Sequence, residues 1–105
     1  MAEAFGLSTF VINQIQRVFA QHSRVEKAVI YGSRAKGNYK TGSDIDLTVF
    51  GALDLHELMM LNEELEQLPI PYQFDLSLYD RIENPDLVDH IDRVGKSFYE
   101  KEVSK

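Results

Sequence analysis

With 105 residues, 44% hydrophobic and 27% charged, the chain has the balance of one globular domain around one core, residues 1–105. Eleven Lys and Arg against seventeen Asp and Glu leave a net charge of −6. That excludes strong non-specific binding to duplex nucleic acid, which needs an excess of cations facing phosphates, and it suits a basic protein partner. With no cysteine, disulfides and thiolate metal sites are ruled out. "MAEAFGLSTF" carries an acid where a secretory leader is positively charged. Apolar runs such as "AVIY" and "LMML" are too short to span a bilayer, so a soluble, cytoplasmic protein without a membrane partner is expected.

Residues 8–22 place Val11, Ile12, Ile15, Val18 and Phe19 at helical spacing, with Ser8 or Thr9 as cap. "VEKAVIY" at 25–31 is rich in β-branched residues and predicts a strand that ends at Gly32. Residues 34–43 are polar, with Gly37, Asn38 and Gly42, and predict one helical turn followed by loop. "DIDLTVF" at 44–50 alternates, sending Ile45, Leu47 and Val49 one way and Asp44, Asp46 and Thr48 the other. Residues 54–68 line up Leu55, Leu58, Met59, Asn62, Leu65 and Leu68, behind a capping pair formed by Asp54 and Glu57. Pro69 and Pro71 stop that helix, and "YQFDLSLY" at 72–79 alternates again with Asp75 and Ser77 on its polar face. "NPDLVDHIDRVG" predicts a helix capped by Asn84, opened by Pro85 and stopped by Gly95, with "KSFYE" as a short last strand. The fold class is α+β, a small mixed sheet with helices packed on one face.

Strand periodicity brings Asp44 and Asp46 to one face, about 6–7 Å apart at Cα. Asp75 has the same apolar-Asp-apolar setting, and three carboxylates converge if the two strands are neighbours. By itself D-x-D is also what the wet face of an antiparallel sheet looks like. Clustered acids repel one another unless a cation is shared, and Mg²⁺ takes one or two carboxylates together with phosphate oxygens. Just upstream, Gly32 permits close backbone approach and Ser33 opens a helical turn toward an anion. Arg34, Lys36 and Lys40 add local positive charge, and Arg34 is suited to a two-pronged phosphate contact.

Other motifs fail. "GSRAKG" is followed by Asn38-Tyr39 where a phosphate-binding P-loop needs Lys and Ser or Thr. "DIDLTVFGALDL" puts Val49 and Leu55 where a calcium loop needs Gly and Glu. His22, His56 and His90 are isolated, which gives no zinc spacing and predicts surface or cap roles. Arg17 and His22 form an R-x4-H pattern best read as coincidence within a helix.

"GSRAKG" followed by "SDIDL", with a later apolar-Asp-apolar strand, resembles the signature of the nucleotidyltransferase superfamily related to DNA polymerase β. More closely it is similar to the minimal nucleotidyltransferases, the MNT group, commonly encoded beside a helical HEPN protein as antitoxin and toxin. The resemblance covers residues 25–80 well; Tyr31 stands where many members have Phe. It implies that Gly32 and Ser33 hold a nucleoside triphosphate, supported by Arg34 and Ser43. It implies that Asp44, Asp46 and Asp75 are the catalytic carboxylates that hold Mg²⁺, two ions in all, with Asp75 activating the attacking hydroxyl. The expected activity is transfer of a nucleoside monophosphate, AMP from ATP, to a hydroxyl, with a tyrosine of a HEPN partner as acceptor. The alternatives are a nucleotide-binding subunit without chemistry and transfer to a small molecule such as an aminoglycoside.

Overall fold

The computed structural model describes residues 4–40 and 42–102. Helix α1 (Thr9–Ala20) leads into strand β1 (Val25–Tyr31), the one-turn helix α2 (Ser33–Lys36) and strand β2 (Ile45–Gly51). Helix α3 (Leu55–Glu66) then crosses to strand β3 (Phe74–Leu78). A 3₁₀ turn (Tyr79–Arg81), helix α4 (Pro85–Val94) and strand β4 (Lys96–Glu100) complete the order. The sheet runs β3-β2-β1-β4, with β1 antiparallel to both β2 and β4. β2 and β3 are parallel, which requires a long crossover, and α3 supplies it. The mixed α+β class inferred from the sequence is the class of the structure.

Each predicted N-terminal helix cap is present. Ser8 accepts from the Val11 N–H at 3.2 Å, Asp54 from Glu57 at 2.9 Å and Asn84 from Asp86 at 2.9 Å. Each satisfies a donor left over by the first helical turn, worth about 1 kcal/mol.

The main core lies between the sheet and α1 with α3, where Ile15, Phe19, Leu61 and Leu65 meet Ile30, Ile45 and Leu47. α3 is rotated from the stripe read in the sequence. Leu61 and Leu65 are buried, while Leu55 is 51% and Met59 70% exposed. "LHELMMLNEELEQL" offers apolar residues on more than one stripe, and the crossover decides which one faces the sheet.

α4 adds cover on the opposite face. Its Ile91, with Leu87 and Val94, packs on Val29 and Tyr31 of β1. The "AVIY" run is therefore buried on both faces, as a continuous apolar strand demands. Gly95 allows this close seat: a Cβ there would run into the Ile91 carbonyl and stand 2.6 Å from Val29 Cγ1.

Candidate active site

The site is built where β1 ends and β2 begins, on the face that α4 partly covers. Asp46 lies opposite Tyr31 on one side and opposite Asp75 on the other. The parallel pairing of β2 with β3 is thus what joins two aspartates far apart in sequence. Asp44 lies just before β2, not within it, because the strand begins at Ile45. Asp44 and Asp75 are exposed and Asp46 is half-buried.

Burial pushes the Asp46 carboxyl above the usual carboxylate range, and the charges of Asp75 and Asp44 push it further; Arg34 opposes them. Tyr31, buried beside the same face, has its phenol raised by burial and by Asp75 and Asp46. The cluster therefore carries more negative charge than its protein neighbours neutralise.

Gly32 is locked against this cluster. Its φ of 75° and ψ of −154° belong to a region that side chains other than hydrogen avoid. A Cβ at this position would collide with the Asp46 carboxylate oxygen Oδ2. The backbone that opens α2 thus lies directly on the carboxylate. Ser33 follows as the first residue of α2, half-exposed, and its carbonyl accepts from Gly37 at 2.9 Å.

Arg34 is placed differently from the expected phosphate fork. It is 3% exposed, and its Nε and Nη2 donate to the Ser43 carbonyl at 3.1 and 2.7 Å while Nη1 donates to the Phe5 carbonyl at 2.8 Å. Its guanidinium also lies over the rings of Tyr72 and Tyr39. The two-pronged contact is made, but to the backbone that immediately precedes Asp44. Ser43 in turn accepts from the Lys40 N–H through Oγ at 2.9 Å. Both residues shape the loop that leads into Asp44.

His90, expected at the surface or as a cap, is instead turned toward the end of β1. It accepts a hydrogen bond from Gly32 N–H through Nε2 at 3.2 Å and packs edge-on to Tyr31, with ring centroids 6.1 Å apart. Its one signal in the sequence is adjacency to the apolar Ile91 on a short capped helix. His22 also departs from a simple cap: its ring bridges Glu57 at 3.2 Å and Glu64 at 3.1 Å, joining α1 to α3 far from Asp46 in the chain.

Among the described residues, no group of three or more His, Asp or Glu side chains is gathered tightly enough to hold an ion unaided. The donor set nevertheless fits Mg²⁺. All three side chains offer hard oxygens, Asp46 is under-neutralised, and this metal usually completes its shell with water and substrate phosphate. Asp75 also borders a groove of about 460 Å³ between β3 and α3, with Met59, Asn62 and Glu63 along its wall. A larger hollow of about 860 Å³ between α1 and β4 contains none of the three aspartates.

Residues 13–104 match the polymerase beta nucleotidyltransferase family. The chain belongs to that family. No curated protein matches it in sequence. Among solved structures, this nucleotidyltransferase is similar to a chain of a toxin–antitoxin complex with AMP-PNP, at 21% identity and TM-score 0.71, covering 87% of this chain and 74% of the other. It is similar to a chain of the toxin–antitoxin MntA-HepT, at 18% identity and TM-score 0.67, covering 90% and 74%. A third likeness is to a complex of a tri-AMPylated Shewanella oneidensis HEPN toxin with MNT antitoxin, at 19% identity and TM-score 0.66, covering 88% and 71%. At these identities the likeness establishes the fold. No helix among the described residues of this nucleotidyltransferase is long and apolar enough to cross a membrane.

Proposed function

We propose that this nucleotidyltransferase transfers AMP from ATP to a tyrosine hydroxyl of a HEPN-type partner in the cytoplasm, and that it acts as an antitoxin. The observation that carries the reading is Asp46 paired in register with Asp75 while Gly32 lies on the Asp46 carboxylate. On this reading the Gly32 backbone faces the triphosphate and Asp75 faces the acceptor, on either side of Asp46. The partner and acceptor are drawn from the structural neighbours, which include a complex of an AMPylated HEPN toxin with an MNT antitoxin.

In this reading Ser33 and the Gly32 backbone receive the triphosphate. Asp44, Asp46 and Asp75 would hold two Mg²⁺ ions, which supply charge neutralisation for the phosphate under attack. Asp75, exposed at the edge strand, takes the proton of the acceptor hydroxyl. The hydroxyl oxygen forms the new bond to the α-phosphorus, the bond to the bridging oxygen breaks, and pyrophosphate leaves with the electron pair. Catalysis is mainly placement and electrostatics.

The test is incubation with Mg-ATP and a co-encoded HEPN protein, read by intact mass. Adenylyl increments on the partner are expected with the natural chain. With Asp46→Asn or Asp75→Asn the rate should fall on the order of a hundredfold to ten-thousandfold. ATP binding without any increment would replace transferase by nucleotide-binding subunit, and no binding at all would sink both.

A further inference from the structure

We infer that His90 is a positioning residue for the nucleotide-facing turn, so that α4 is a working part of the site as well as cover for the sheet. The inference rests on the nucleotide reading of Gly32-Ser33 above, and it goes beyond that reading by assigning a role to a residue outside the motif.

The argument begins with glycine. A residue with no Cβ is free to adopt many backbone conformations, and Gly32 must be held in one of them, at φ 75° and ψ −154°, which residues with a Cβ avoid. On one side the Asp46 carboxylate leaves no room for anything larger than hydrogen, which excludes other residues but does not itself select an orientation of the preceding peptide. On the other side the Gly32 N–H is taken up by His90 Nε2 at 3.2 Å. This bond fixes the plane of the peptide between Tyr31 and Gly32. It thereby sets the direction in which Ser33 and α2 leave the strand.

His90 is itself held. Tyr31, 6% exposed, presents its ring edge-on to the imidazole, with 79° between the planes. The adjacent Ile91, 3% exposed, anchors α4 to Val29 and Tyr31. Two consecutive residues of α4 thus grip the end of β1 and the turn, Ile91 by packing on Val29 and Tyr31 and His90 by a directed hydrogen bond from Gly32. Because Gly32 N–H is the donor, Nε2 is the unprotonated nitrogen and the neutral ring carries its proton on Nδ1.

The same bond has a consequence for ligand contacts. The Gly32 N–H points to α4, so it is occupied by protein. Phosphate then meets Ser33, the residues after it and the rest of the Gly32 backbone, without the Gly32 N–H. His90 therefore acts on nucleotide through the turn and does not touch it.

Calorimetry with Mg-ATP on the intact natural chain, His90→Ala and His90→Gln tests this, with thermal melting of each variant alongside. Gln keeps a side-chain acceptor in reach of Gly32 N–H, whereas Ala removes it. His90→Ala should bind Mg-ATP about three- to tenfold more weakly, the worth of one hydrogen bond, and His90→Gln should recover most of that loss. In turnover, the change should fall on KM for ATP and leave kcat near that of the natural chain. Nitrogen-15 NMR of the free natural chain should show the Nδ1–H tautomer at His90. Equal affinity in the natural chain and His90→Ala would overturn the inference while leaving the nucleotide reading intact. So would melting losses shared by Ala and Gln without a change in affinity, or an Nε2–H tautomer. No nucleotide binding by the natural chain would instead remove the functional reading on which the inference depends.

Discussion

Gly32 and Asp46 define each other. The glycine is tolerated only because it is glycine, and the carboxylate is half-buried partly because a backbone lies on it. Gly32→Ala adds a methyl group into Asp46 and keeps a positive φ, which costs about 1–3 kcal/mol in backbone strain before the collision is counted. A fall in melting temperature together with loss of Mg-ATP binding is expected, read by thermal denaturation and calorimetry. Asp46→Asn should do the reverse to stability. The folded pKa of Asp46 is raised, so its ionised form is favoured less in the folded chain than in the unfolded one. Its charge therefore costs stability above the carboxylate range, and that cost disappears as the pH falls below the unfolded value. Asp46→Asn should melt higher than the natural chain at neutral pH without Mg²⁺, and the difference should vanish in acid. An unchanged melting temperature at neutral pH would count against this electrostatic account.

At the scale of elements, the β2–α3–β3 crossover makes the site, because it sets Asp75 beside Asp46. What keeps α3 against α1 includes His22, whose ring spans Glu57 and Glu64. Burial alone lowers the pKa of this ring, but hydrogen bonds and charge from Glu64 and Glu57 outweigh it, and the result is raised. Such a contact is fully in force below the unfolded histidine pKa and is lost as pH rises through the folded value. His22→Ala should cost about 1 kcal/mol on the acid side of that window and less above it. Urea denaturation across the histidine titration range would show a stability slope in the natural chain that is absent in the variant.

Considered whole, the molecule buries a core between the sheet and two helices, and gathers the candidate site on the other face of the sheet, which a third helix partly covers. Thr48, fully buried beside Ser77 on that face, marks where cover begins and the carboxylate end stops. Ligand binding at such a site should stabilise the entire fold by mass action. At Mg-ATP a hundredfold above its Kd, the apparent stability should rise by about 2.7 kcal/mol. The melting temperature should increase with Mg-ATP in the natural chain and stay flat in Asp46→Asn. A flat response in both would contradict nucleotide binding at this face.

The sequence by itself determined the elements, and their ends to within about two residues, because caps, strand alternation and proline stops act locally. Ser8, Asp54, Asn84, Pro85 and Gly95 each serve locally as their chemistry dictates. The "SDIDL" segment and the apolar-Asp-apolar strand announced the carboxylates for the same reason. Only the tertiary structure decided which stripe of α3 faces inward, that α4 covers the second face, and that Asp46 lies opposite Asp75. It also decided that Arg34 grips a backbone carbonyl and that His90 reaches Gly32, 58 positions away. Those outcomes depend on strand order and on which surfaces meet, and neither is encoded in the spacing of neighbouring residues.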